Sequence, residues 1–203
     1  MALESLLQWL DYFGVAVFAV SGALVAARKG MDWMGFALIG TFTGMGGGTL
    51  RDILLDRPVY WLEAWHYILI CVTAALLTFY AAAHVRRRLG WLLWADAIGL
   101  AAFTVIGVEV ALATGMSPFI AVVMGVITAT FGGLIRDVLA GDMPLLLHRE
   151  IYASAALVGG TVQVGLASDW PTLAVLSAFV TTLSIRGLGI VFHWHLPSFA
   201  GSK

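Results

Sequence analysis

Charged side chains are scarce. Asp, Glu, Lys and Arg make up 11% of the 203 residues, where a soluble domain carries about 25%. With 61% hydrophobic residues and a mean hydropathy of +0.94, the chain has more apolar surface than a water-soluble fold of this length can hide. Its solvent is therefore read as lipid. A net charge of -1 gives no sign of a nucleic-acid partner. The single Cys71 lies in an apolar run, so no intrachain disulfide forms and the redox compartment is not legible. A basic leader is absent too: the first residues carry Glu4 and Asp11, and no small-residue cleavage site ends the first apolar run. Position 8 onward is read as a first transmembrane helix. No nucleophile–base–acid set, phosphate loop or redox motif occurs, which argues against an enzyme. His66, His84, His148, His193 and His195 all fall at the ends of apolar stretches, and His193-x-His195 is too short a motif for a metal site.

What the chain does have is apolar length. A span takes roughly 20 residues, and seven stretches qualify: 8–27, 33–55, 65–84, 91–113, 118–140, 151–167 and 171–193. All eight tryptophans (Trp9, Trp33, Trp61, Trp65, Trp91, Trp94, Trp170 and Trp194) fall near their ends, as an interfacial aromatic belt requires. The five prolines sit at ends as well, where a missing N–H does least harm. Connections are short, so 1–203 is expected to be one membrane domain. Lys and Arg set the orientation. With the N-terminus outside, Arg28, Lys29, Arg86, Arg87, Arg88, Arg149 and Lys203 face the cytoplasm and only Arg57 faces out. The expected location is a bacterial plasma (inner) membrane, crossed several times, N-terminus out and C-terminus in.

Sliding the chain by 85 residues aligns it with itself. Asp11 meets Asp96, Gly14 meets Gly99, Phe18 meets Phe103, Gly22 meets Gly107, Gly40 meets Gly125 and Thr43 meets Thr128. Gly47-Gly48-Thr49-Leu50-Arg51-Asp52 falls on Gly132-Gly133-Leu134-Ile135-Arg136-Asp137, and positions 11 to 57 show 17 identities in 47 without a gap. The expected fold is all-α: a three-helix repeat at 8–84, a second at 91–167, and a seventh helix at 171–193. Three is an odd number, so the second copy lies upside down. Such inverted repeats typify channels and transporters, with the solute path between the copies.

Glycine is concentrated where the repeats agree best. Gly44, Gly46, Gly47 and Gly48 occupy four of five positions in the second helix; Gly132 and Gly133 answer them in the fifth. Each Gly costs a helix interior about 1 kcal/mol relative to Ala, so a kink or break is expected there. The spacing of Gly40, Gly44 and Gly48 also makes a small-residue stripe for close packing, and the two uses are compatible on different faces. Arg51, Asp52, Arg136 and Asp137 lie inside spans, where charge is expensive and marks function. Adjacent residues on a helix do not face each other, so each Arg is expected to pair with the Asp of the other repeat. The pairs are expected either to lock the repeats together or to border the permeation path as a gate. Breaks at the glycines would point negative helix ends at the centre. Thr41, Thr43, Thr128 and Thr130 would add hydroxyl oxygens, a lining suited to a monovalent cation. Asp11 and Asp96 are read as carboxylates near helix N-termini, and Glu109 and Arg186 as snorkelling or locally paired. Arg86-Arg87-Arg88 is read as a topology determinant, with anionic lipid as its alternative partner.

The Gly-Thr-Phe-Thr-Gly-Met-Gly-Gly-Gly-Thr-Leu-Arg-Asp stretch at 40–52 and its echo at 125–137 resemble bacterial members of the trimeric intracellular cation (TRIC) channel family, over about 8–193. The resemblance implies seven helices in a 3+3+1 arrangement and a homotrimer with one pore per protomer, conducting potassium and sodium. It also implies glycine-broken second and fifth helices lining that pore, with Gly46, Gly47, Gly48, Gly132 and Gly133 at the kinks. No cofactor is implied beyond the permeant ion and a bound lipid. The lysine cluster through which animal members bind a phosphoinositide has no match here. Ala129-Thr130-Phe131 replaces Gly44-Met45-Gly46 in the second copy, and Phe131 is positioned to narrow the path. Such sequences are also grouped as small-amino-acid (glycine) transporters, which leaves alternating access open, with Arg51 or Arg136 for a carboxylate and Asp52 or Asp137 for an ammonium.

Overall fold

Local signals start and stop the same helices in both halves. Asp32 opens one helix, its side chain accepting from the Gly35 amide at 2.9 Å, and Ser117 opens another 85 residues on, accepting from Ile120 at 3.4 Å, with Pro118 in the first turn. Gly30 (φ 68°) and Gly115 (φ 78°) make the left-handed turns just before them. The exits match too. Arg57 N donates to Asp52 O and Asp142 N to Asp137 O, both at 2.9 Å, around left-handed Asp56 and Gly141.

The structure, a computed structural model, describes residues 2–82, 88–147 and 151–194. Its helices are α1 (Ala2–Arg28), α2 (Trp33–Leu54), α3 (Tyr60–Glu63), α4 (His66–Ala82), α5 (Arg88–Ala113), α6 (Pro118–Leu139), α7 (Ala153–Leu166) and α8 (Pro171–Phe192), with a 3-10 turn at Leu145–Leu147. Each stretch expected to span carries one helix. The short α3 and the 3-10 turn fill connections expected to be plain. Among the described residues, four helices (α1, α5, α6 and α8) contain stretches long and apolar enough to cross a membrane; α4 and α7 are shorter, and the glycine-rich α2, although 22 residues long, is not among the four. Of the eight tryptophans, all but the half-buried Trp61 are exposed, as a belt facing lipid headgroups needs. His84, Arg86, Arg87, His148, Arg149, His195, Pro197 and Lys203 lie outside the described residues.

The expected break in the second and fifth helices is corrected. α2 runs unbroken through Gly44–Gly48, and α6 through Gly132 and Gly133. The reason is contact. A Cβ on Gly47 would strike the Thr128 carbonyl oxygen, and one on Gly132 would strike that of Thr43. As α2 advances from 43 to 47, its contact recedes along α6 from 132 to 128, so the two helices cross in opposite directions with backbone against backbone. The glycines are spent on that approach, and the helical hydrogen bonds survive. α1 and α5 cross in the same reciprocal way. A Cβ on Gly99 would stand 2.9 Å from the Phe18 ring, and one on Gly14 3.2 Å from that of Phe103. The two rings meet at 5.2 Å, both fully buried.

Gly47→Val and Gly132→Val are expected to lower stability by about 1–3 kcal/mol or more through overpacking, read as a fall in thermal unfolding temperature in detergent. Gly90→Ala and Gly165→Ala, whose Cβ would meet nothing within 4 Å, serve as controls and should leave it in place.

Candidate functional site

Two polar nests lie at the ends of the crossing helices, one at the C-terminal end of α2 and one at that of α6. In the first, Arg51 Nε donates to Asp52 Oδ1 at 2.8 Å, and Tyr60 N donates to Asp52 Oδ2 at 3.0 Å. In the second, Arg136 Nε donates to Asp137 Oδ1 at 2.8 Å, and Leu145 N to Asp137 Oδ2 at 2.9 Å. All four charged side chains are buried. The expected cross-repeat pairs, Arg51 with Asp137 and Arg136 with Asp52, are not formed. Each arginine bonds the aspartate that follows it. Neighbouring Cα positions do point apart, but the guanidinium is long enough to fold back along the helix, and backbone amides beyond the helix end hold the carboxylate in place.

Asp96 was expected near a helix start. It lies well inside α5, 0% exposed, and its Oδ1 accepts from Arg136 Nη1 at 2.6 Å. The same nitrogen donates to Ser21 of α1 at 2.6 Å. Arg136 therefore ties α6 to α5 and to α1 at once. Asp11, the mate of Asp96, is also mid-helix and accepts from the Tyr67 hydroxyl at 2.6 Å. Around it, His66 Nε2 lies 3.0 Å from the Tyr12 hydroxyl, and Tyr60 packs edge-on against Tyr67 at 4.6 Å. Burial, and secondarily the charge of Asp11, pushes the Tyr60 phenol well above its ordinary range, so it stays neutral. Arg186 does not snorkel. It is 0% exposed, donates to the Ile151 carbonyl at 3.1 Å and lies over the Tyr152 ring at 5.1 Å. Glu109 is locally paired, accepting from Gln163 at 3.3 Å.

The threonines are partly committed. Thr43, Thr128 and Thr130 donate to carbonyls four residues back at 2.6–2.8 Å, leaving lone pairs but no free proton. The buried Thr41 hydroxyl has no partner among the described residues. With the helices continuous, their dipoles do not end at the centre, and no pair of negative helix ends converges there. Between the nests lies an apolar layer of Val15, Phe18, Met45, Leu100, Phe103 and Ala129. An apolar cleft of about 320 Å3 opens beside the crossing, lined in part by Gly46, Thr49, Trp61 and Phe131. A more polar one of about 270 Å3, with Arg28, Asp137, Asp142 and Leu145 in its wall, leads to the second nest. Asp142, in its wall, pairs with Lys29 at 2.6 Å. Among the described residues no cluster of three metal-ligating side chains occurs.

Long apolar helices packed around buried, helix-tethering charge are those of an all-helical membrane protein. A family described as Glycine transporter matches the chain twice, over residues 8–83 and 93–168, an 85-residue duplication. The chain is 44% identical to a UPF0126 membrane protein of Vibrio cholerae over 98% of this chain and 85% of that one. It is 42% identical to the UPF0126 inner membrane protein YadS of Escherichia coli, covering 96% and 97%. Among solved structures it resembles the TRIC trimeric intracellular cation channel orthologue from Rhodobacter sphaeroides at 47% identity, TM-score 0.91, over 94% of this chain and all of that one. A prokaryotic TRIC channel matches at 31% identity and TM-score 0.90 over 95% of this chain and 100% of that one. The chain belongs to the TRIC channel family, in which the glycine-transporter and UPF0126 sequences are its relatives.

Sequence reasoning missed Ser21, Tyr60, Tyr67 and Tyr152 and mistook the role of Asp96. The recurrence of Asp11/Asp96 and Tyr67/Tyr152 at the same 85-residue offset was the signal available. Asp96→Asn is expected to cost about 3–5 kcal/mol by leaving Arg136 undercompensated, whereas Asp11→Asn, which keeps an acceptor for Tyr67, costs about 1 kcal/mol or less. Thermal unfolding of the two variants checks the order. Exchanging the charges at 51 and 137 should recover nothing, since those side chains do not meet.

Proposed function

We propose that the chain is a cation channel selective for monovalent ions, potassium and sodium, working as a homotrimer with one pathway in each protomer. The observation that carries this is its match to solved TRIC cation channels over nearly its whole length at up to 47% identity. Seven crossings, in two inverted three-helix repeats (8–84 and 91–167) plus 171–193, supply the frame. The antiparallel α2–α6 crossing and the twofold family match support the inversion. The N-terminus lies outside and the C-terminus inside, on the charge tally. The first nest then faces out and the second faces in.

The pathway runs along α2 and α6 past Thr41, Thr43, Thr128 and Thr130, with Arg51, Asp52, Arg136 and Asp137 at its two ends. Gly44, Gly46, Gly47, Gly48, Gly132 and Gly133 act there as the pivot about which the two helices tilt, where small residues let backbone slide on backbone. The apolar layer that includes Met45 and Ala129 separates the two nests, and on this reading conduction requires the crossing helices to move. An excess of acidic over basic groups in the outer nest favours cations. Membrane lipid covers the exposed apolar faces.

The test is a planar-bilayer recording of the purified protein under a KCl gradient. Unitary currents reversing near the potassium potential are expected. Their absence at every voltage, together with saturable glycine uptake in proteoliposomes, would replace the channel with the alternating-access transporter that the family description suggests.

A further inference from the structure

The two halves part company above Gly48 and its mate Gly133. A Cβ on Gly133 would meet the Tyr152 hydroxyl at 2.8 Å, Asp96 Oδ1 at 3.3 Å and Arg136 Nη2 at 3.4 Å. On Gly48 the three nearest atoms all belong to the Tyr60 ring, at 2.7–3.5 Å. The same space holds an ion cluster in one half and an aromatic ring in the other. The parts of the cluster exist in both halves, since Asp11, Tyr67 and Arg51 are the mates of Asp96, Tyr152 and Arg136. Yet Arg51 turns to Asp52, with its guanidinium over the Tyr60 ring at 5.6 Å from the centroid. Asp11 is held instead by Tyr67, and among the described residues no ion pair joins Asp11 to Arg51.

The backbone does not cause this. Tyr60 N and Leu145 N, again 85 residues apart, donate to Asp52 and Asp137 at 3.0 and 2.9 Å. What differs is the side chain: a ring with a π-face that attracts a guanidinium against a leucine that leaves the space free. A smaller difference adds to it. Ser21, which accepts from Arg136, has Ile106 as its mate.

We infer that Tyr60 is a positioning residue that holds Arg51 off Asp11, keeping the first nest unlatched while its counterpart, Asp96–Arg136, is latched. This rests on the channel reading above. With the ring in place, α1 and α2 are untied at one end of the pathway and the Asp11 carboxylate is left for a cation. Without it, Arg51 swings over Gly48 and closes on Asp11, tying α1 to α2 as Arg136 ties α5 to α6.

The experiment is single-channel recording of Tyr60→Leu, the residue its mate carries, beside Tyr60→Phe and the double variant Asp11→Asn/Tyr60→Leu, all purified as the full chain and checked for assembly by size exclusion. Tyr60→Leu should lower open probability about tenfold, the weight of one buried charge-assisted hydrogen bond. Tyr60→Phe should match the parent, because the buried Tyr60 hydroxyl has no partner among the described residues and only the ring positions Arg51. The double variant should regain open probability, since there is no carboxylate to latch; a general folding defect would not be repaired by a second substitution. Parent-like gating in Tyr60→Leu, a Tyr60→Phe variant that behaves like Tyr60→Leu, or a double variant as silent as the single one would each overturn the latch. A parent protein that carries no cation current would overturn the channel itself, before any variant is compared.

Discussion

Everything in this fold hangs on how closely α2 and α6 approach. A carbonyl oxygen of each helix lies where the other's Cβ would be, Thr128 over Gly47 and Thr43 over Gly132. In hydrocarbon there is no hydrophobic force between helices, and association comes from dispersion contact and polar bonds. Contact at this range needs residues without side chains at both crossing points, and the price is helix propensity. Gly44, Gly46, Gly47 and Gly48 together cost α2 several kcal/mol on the scale of about 1 each. A lipid environment makes that tolerable, because unwinding would expose backbone groups with no water to satisfy them. The glycine-rich helix therefore stays helical.

The charges follow from the crossing. Arg51 and Arg136 each lie three or four residues past a close-packed glycine, where the helices diverge and a polar side chain has room. A buried ion pair gains little over an apolar pair of the same shape, but breaking one is costly. Burying both charge nests thus does more to fix geometry than to add stability. Arg136 shows how: bonded to Asp137, Asp96 and Ser21, it fixes three helices against one another within a single guanidinium. A leucine there would pack without specifying any of those distances.

Much of this was legible in the sequence. The seven long helical stretches and the 85-residue repeat could be read directly, because apolar length and a recurring Gly-Gly-x-x-Arg-Asp are one-dimensional signals, whereas the short α3 and the 3-10 turn carry no such signal. Gly47 and Gly132 could be found but not assigned. Composition prices a glycine in an isolated helix and is silent on the partner that makes it worthwhile, so a break was expected where a contact occurs. The pairing of Arg51 and Arg136 was misread because Cα spacing ignores the reach of a guanidinium. Asp96 was misread because its helix begins at Arg88, earlier than the apolar stretch does. Tyr60 was invisible because it belongs to a connection, and its meaning emerges only from laying one half of the structure on the other.

A duplicated fold whose halves were identical would place its two ends at equal energy, and exchanging their states would cost nothing. That degeneracy suits a machine that must face each side in turn. Here three features remove it: Tyr60 against Leu145, Ser21 against Ile106, and α8, which packs on α5 and α7 and brings Arg186 to Tyr152 in the second half alone. Each of them loads the same end. Arg136 is locked by two carboxylates and a hydroxyl, with a second cation nearby, while Arg51 is held by one carboxylate and a ring. Moving the second nest thus means breaking several buried charged bonds, and moving the first means sliding a guanidinium off an aromatic face. Such a bias works against equal alternation. It fits a pathway in which one end stays ready for ions and the other is the barrier, which is the behaviour of a gated channel rather than of a carrier.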